Sequence, residues 1–148
     1  YKAMVAAGVR LPIQGAVLMT VADSDKAEAL AIARELVAMG FPILATGGTA
    51  AHLREHGVDA EAVRKISEGE PNLVTAIHDG RVGLVINTIS KDKRIEQEGA
   101  LIRRATVERS VPCLTSLDTA RALLLALAAH RAGEPLDVRT VDDYLHAV

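Results

Sequence analysis

The stretch LATGGTAAHLREHG, residues 44–57, decides how the rest of the chain is read. A short apolar run enters a pair of threonines, Thr46 and Thr49, that flank Gly47 and Gly48, and an Ala- and Leu-bearing segment then runs to Gly57. A strand, a glycine joint and a helix that opens at the joint account for this order. Without side chains, Gly47 and Gly48 leave the N–H groups of the helix start open and permit unusual dihedrals. The helix start can therefore receive an anion.

The same cycle repeats on either side. Upstream, GAVLMTVA (15–22) is a continuous apolar run with β-branched members, as suits a strand buried on both faces. DSDKAEALAIARELVAMG (23–40) follows as a helix capped by Asp23, Ser24 or Asp25, with Ala29, Ile32, Ala33, Leu36 and Val37 at helical spacing and Gly40 past its end. Downstream, AEAVRK (60–65) is a short strand, and PNLVTAIHDG (71–80) is a helix with Pro71 in its first turn. VGLVINT (82–88) is a strand, EGALIRRATVERS (98–110) a helix, VPCLT (111–115) a last strand and SLDTARALLLALAAHRAG (116–133) a helix. The segment 134–148 reads as a loop and a short final helix, and 1–13 as a linker from domains upstream, since the chain starts at Tyr1 without Met. SKDKRIEQEG (90–99) reads as a polar loop, either a lid over a site or a solvated connection.

Strand and helix in alternation with short joints predict a three-layer α/β/α domain with a five-stranded parallel sheet. The length of 148 residues, 49% hydrophobic content and 24% charge fit one globular domain. The net charge of −2 gives no basic footprint for nucleic acid, and aromatics at 2% leave no base-stacking platform. No apolar run reaches the ~20 residues of a membrane span. Cys113, the single cysteine, excludes a disulfide framework, fits a reducing compartment and belongs in the core.

In open parallel sheets ligands bind beyond the carboxyl ends of the strands. There the sequence places Thr20 and Asp23 to Lys26, then Thr46 to Thr49, then Lys65, Ser67 and Glu68, then Asn87 and Thr88, then Thr115 and Ser116. Two lysines, several hydroxyls and a glycine-opened helix start suit a phosphate. A plain glycine turn with a threonine cap explains TGGT alone equally well; Lys26 and Lys65 at neighbouring strand ends favour the phosphate reading. No P-loop motif appears, and no GxGxxG follows the first strand. His52 and His56 stand four apart on a helix, a spacing that can bind metal, but without an evident acidic or cysteine partner they read as solvated helix-end residues. Arg103 and Arg104 read as part of a solvated helix face, with a ligand or partner contact as the other reading.

In order, AAGVRLP, VADSDK, GFPILATGGTAAHLREHG, VRKISEGEPNLVTAIHDG, LVINT and IRRATVERSVPCLTSLDTARA resemble the methylglyoxal-synthase-like domain, above all the version at the C-terminus of the carbamoyl-phosphate synthase large chain. The resemblance runs from about Ala6 to Ala128, and its most specific part is K-I-S-E-G-x-P-N followed by I-N-T. It implies a cytoplasmic regulatory domain over 14–148 that does no chemistry, binds nucleotide monophosphates such as UMP or IMP, and in many bacterial enzymes has ornithine acting at or near it. It implies partnership with the synthetase domains, which use ATP with Mg or Mn, and with the small glutaminase subunit. The effector phosphate is expected at Lys26, Thr46, Gly47, Gly48, Thr49 and Lys65, and the ribose or base near Asn87 and Thr88, with no resident cofactor or metal. Ile89 and the 90–99 loop depart from the family pattern, toward the base side. The runners-up are a methylglyoxal synthase, which carries Asp-Pro where this chain has Asn87-Thr88, and an interaction module without ligand. The cyclohydrolase of purine synthesis shares SDK and GGTA, but its Lys-Thr-Leu-His-Pro motif is absent.

Overall fold

The computed structural model describes residues 13–88 and 93–133. Five strands, β1 (Ala16–Thr20), β2 (Ile43–Thr46), β3 (Glu61–Val63), β4 (Val82–Asn87) and β5 (Cys113–Leu114), form one sheet in the order β3-β2-β1-β4-β5. Every pairing is parallel. Among the described residues, five α-helices connect or follow them: α1 (Lys26–Ala38), α2 (Gly47–Glu55), α3 (Leu73–His78), α4 (Lys93–Glu108) and α5 (Leu117–Arg131).

Alternation along the strands feeds two cores. Val17 and Met19 of β1, Ile43 and Ala45 of β2, and Leu84 and Ile86 of β4 face one side, against Ile32 and Leu36 of α1, Leu53 of α2 and Leu123 of α5. Ala16, Leu18, Leu44, Val82 and Val85 face the other side, against Leu73 and Ile77 of α3 and Ile102 of α4. Both faces of the central strands are dry, which explains why their sequences are unbroken apolar runs. The expected three-layer α/β/α arrangement is the observed one.

Helix ends follow local chemistry. Gly40 and Gly57 stand just past α1 and α2 at φ of 80° and 78°, a conformation that costs a residue with a Cβ. Asn72 caps α3, its Oδ1 accepting from the N–H groups of Val74 and Thr75, while the Thr75 hydroxyl accepts from the Asn72 N–H. Pro71 therefore precedes the cap and is not in the first turn. Beside β1 the chain runs so close to β4 that a Cβ on Gly83 would lie 1.7 Å from the Gln14 carbonyl oxygen.

Two expectations shift. The helix foreseen from Glu98 starts at Lys93, so most of the expected polar loop is the opening of α4. Ile13, assigned to the upstream linker, is buried in the first core. The remainder of that linker, Ile89 and the final helix foreseen in 134–148 lie outside the described residues.

The order β3-β2-β1-β4-β5 also fixes where a crevice opens. The chain leaves β1 toward β2 and β3, then returns to lay β4 on the other side of β1. Loops diverge at this reversal, beyond the carboxyl ends of β1 and β4.

Candidate anion-binding site at the sheet's carboxyl edge

A cavity of about 710 Å³ occupies that crevice. This is within the range of pockets that hold small organic ligands. Parallel register brings its walls together: Thr20 at the end of β1 pairs with Asn87 at the end of β4, and Thr46 ends β2 alongside.

Seven of the eight residues expected at the site line this cavity: Lys26, Thr46, Gly48, Thr49, Lys65, Asn87 and Thr88. Gly47 is not among the lining residues. α2 opens straight off β2, with Thr46 as N-cap in extended backbone and no side-chain hydrogen bond closing the cap. The N–H groups of the first turn have no intrahelical partner, and the helix dipole adds positive potential there. Neither Gly47 nor Gly48 takes the left-handed dihedrals anticipated for them; both are ordinary first-turn residues with positive-φ glycines elsewhere. What Gly48 supplies is space. A Cβ there would meet the Lys26 ammonium at 3.6 Å, so that ammonium stands over the open start of α2.

Lys26 is the first residue of α1, where the dipole disfavours a cation. Asp23, in the 3-10 turn Asp23–Asp25 after β1, holds its ammonium at 2.7 Å. The hydrogen bond and charge of Lys26, with a smaller pull from Lys65, keep the Asp23 carboxyl below its ordinary range. Lys65 opens the turn Ile66–Glu68, where its backbone N–H donates to Glu68 Oε2 at 2.8 Å.

The β4 side of the cavity is more tightly committed than the sequence reading anticipated. The buried Asn87 donates from Nδ2 to the Thr20 hydroxyl at 2.7 Å, and its Oδ1 accepts from Arg103 Nη1 at 3.3 Å. The Thr88 hydroxyl accepts from the Ala22 N–H at 2.9 Å and so ties the loop after β1 to the end of β4. Arg103 is thus a positioning group behind the cavity and not part of a solvated face, whereas Arg104 is exposed and pairs with Glu108 along α4. Glu98, unnoticed in the sequence, also lines the cavity, and its Oε1 accepts from the Ser67 N–H at 3.1 Å. Its helical offset from Ile102 and Ala105, buried residues of the same helix, was the available signal.

Three further residues depart from expectation. Cys113 is half-buried at the edge of the second core, and desolvation raises its thiol pKa against opposing pulls from Thr106 and Arg103. His52 and His56 are accompanied by Glu55, and His52 Nε2 is enclosed without a hydrogen-bond partner.

Comparison with known proteins adds the family. Residues 28–115 match the family described as MGS-like domain, a span that includes β2, the start of α2, Lys65 and Asn87. The chain belongs to the MGS-like domain family. It is 47% identical over 127 residues to the carbamoyl phosphate synthase large chain, C-terminal section, of Methanopyrus kandleri, a match covering 86% of this chain and 23% of that protein. The chain thus spans about 23% of the length of that relative. Among solved structures, a methylglyoxal synthase from Elizabethkingia anophelis NUHP1 superposes with a TM-score of 0.61 at 18% identity, over 93% of this chain and 94% of that one. ForH superposes with a TM-score of 0.59 at 19% identity, over 82% and 83% of the two chains. These structures bear out the α/β fold. Among the described residues, no helix is long and apolar enough to cross a membrane.

Proposed function

We propose that this MGS-like domain is the allosteric effector-binding domain of a carbamoyl-phosphate synthase large chain. It binds nucleotide monophosphates of the UMP or IMP class in the cavity and regulates the ATP-dependent synthesis of carbamoyl phosphate from glutamine-derived ammonia and bicarbonate. The observation that carries this reading is the Lys26 ammonium standing over the uncapped start of α2, inside a cavity large enough for a nucleotide. The effector phosphate meets the first-turn N–H groups, the Thr46 and Thr49 hydroxyls and the two lysines. The sugar and base extend toward Glu98 and the Thr88 side. The parent enzyme is a cytoplasmic ligase of pyrimidine and arginine biosynthesis. Its synthetase domains bring ATP with Mg or Mn, its small subunit supplies ammonia, and ornithine acts at or near this domain.

The domain itself does no chemistry. A lyase acting on a phosphorylated ketone needs a base within hydrogen-bond reach of the carbon acid. Asn87 is an amide held from both ends by Thr20 and Arg103. The carboxylates that line the cavity are engaged as well: Asp23 with Lys26, Asp25 with the Ser24 hydroxyl, and Glu98 with the Ser67 N–H. Two measurements on the purified chain separate the readings. Millimolar UMP, IMP or inorganic phosphate raises the melting temperature, by ~2.7 kcal/mol of added stability at a hundred times the dissociation constant. Dihydroxyacetone phosphate yields no methylglyoxal. Turnover approaching about 1 s⁻¹ would make the chain an enzyme, and an unchanged melting curve with all three ligands would leave an interaction module.

A further inference from the structure

The last turn of α2 and its C-cap residue His56, at the opposite end of the helix from the phosphate site, carry three potential metal ligands on one face. His52, Glu55 and His56 follow the i, i+3, i+4 spacing that stacks side chains on a helix surface. One ligand atom from each lies within 4.8 Å of the other two. We propose that these residues form a binding site for a divalent transition-metal ion of the zinc class.

The hydrogen bonds around the cluster set it up for that role. His56 Nδ1 lies 2.8 Å from the His52 carbonyl oxygen. A carbonyl only accepts, so Nδ1 carries the proton and Nε2 keeps the free lone pair. A ligating histidine commonly has its other ring nitrogen donating to a backbone carbonyl, which fixes tautomer and ring orientation. His52 Nε2 is enclosed and has no hydrogen-bond partner, and the two ring centroids are 4.4 Å apart. A buried nitrogen without a partner is an unmet polar demand that a cation would satisfy. Two imidazoles and a carboxylate are the donor set of many three-ligand zinc sites, which leave a fourth position to water. Bonds of 2.0–2.2 Å need ligand atoms about 3.4 Å apart in tetrahedral geometry. Rotation of the exposed Glu55 side chain, with the His56 ring held by its carbonyl hydrogen bond, can supply the remaining approach. The cluster lies at the C-terminal end of α2, where the helix dipole favours a cation. The Arg34 guanidinium, which donates to the His56 carbonyl, opposes a cation there, so binding must come from the two imidazoles and the carboxylate as ligands.

The test is a zinc titration of the full, chelator-treated chain by calorimetry, with Co²⁺ as a spectroscopic probe. The expected result is one metal ion per chain. In the His52→Asn/His56→Asn double variant affinity falls by at least about tenfold, whereas His78→Asn leaves it unchanged. In the wild type, zinc shifts the imidazole resonances of His52 and His56 ahead of those of the other histidines, a readout that needs no variant to fold. Unaltered affinity in the double variant, resonance shifts at other histidines first, or no zinc bound in tenfold excess would each overturn the proposal. None of these outcomes depends on whether a nucleotide occupies the cavity.

Discussion

Replacing Lys26 by Met separates binding from stability. The side chain is 23% exposed, so Met keeps most of the buried stem and removes only the ammonium. Three contributions decide the effect on folding. The ion pair with Asp23 is lost, but that carboxylate is 92% exposed, and such pairs contribute little. A cation at the first residue of α1 opposes the helix dipole, so its removal returns a few tenths of a kcal/mol. The stem's packing is retained. The melting temperature therefore changes by no more than a few degrees. Binding behaves differently. The ammonium stands over the open start of α2, where the phosphate is placed, and a hydrogen bond to a charged group contributes ~1.5–3 kcal/mol. At 1.4 kcal/mol per decade the variant loses about 10- to 150-fold in affinity for UMP, and by a similar factor for inorganic phosphate. Calorimetric titration of wild type and variant with both ligands measures this directly. Unchanged affinity would remove Lys26 from the site. A melting temperature lowered well beyond a few degrees would show instead that the lysine's role is structural.

The other predictions follow from the same contacts. Asp23→Asn removes the internal competitor for Lys26 and strengthens phosphate binding several-fold by titration; weaker binding would mean that Asp23 positions the lysine and does not compete for it. Because its folded-state pKa is lowered, the Asp23 carboxylate contributes stability above pH 3.8 and loses it as pH falls through the depressed value; on so exposed a group that contribution is small, so Asp23→Asn changes the acid limb of the pH–stability curve only slightly. Gly83→Ala forces a Cβ into the Gln14 carbonyl and destabilises by on the order of 3 kcal/mol in urea unfolding, since overpacking here moves backbone; a loss under about 1 kcal/mol would show that the β1–β4 edge yields easily. Cys113 reacts with iodoacetamide at pH 8 more slowly than a free thiol, because burial raises its pKa; its contribution to stability is complete below pH 9.0 and is lost as pH rises through the raised folded-state value.

Features of the fold and site that rest on local chemistry were legible in the sequence. Strands buried on both faces appear as apolar runs, and the glycines after α1 and α2 mark helix ends, so the layers and the strand ends could be placed in advance. The cavity residues follow, because in a parallel sheet the strand ends converge without further information. What was missed depends on contacts between distant segments. The start of α4 is polar and carries Gly99, with no apolar periodicity to separate it from a loop. Arg103 reaches Asn87 past that glycine, where a Cβ would stand 3.1 Å from the guanidinium, and such a contact has no sequence signature. Gly47 and Gly48 suggested special dihedrals, but Gly48 leaves room for the lysine above it and both adopt ordinary helical backbone. Glu55 lies between the two histidines in sequence, yet its place beside both became visible only on the folded helix.

The central claim is that the open first turn of α2 receives a phosphate. Backbone amide resonances of the domain, followed during titration with inorganic phosphate and then UMP, test it most directly. The account predicts that the amides of Gly47, Gly48 and Thr49 shift first and saturably with both ligands, and that residues on the Glu98 side respond to UMP alone. Shifts confined to other parts of the chain, or amides of 47–49 unmoved at saturating UMP, would contradict it.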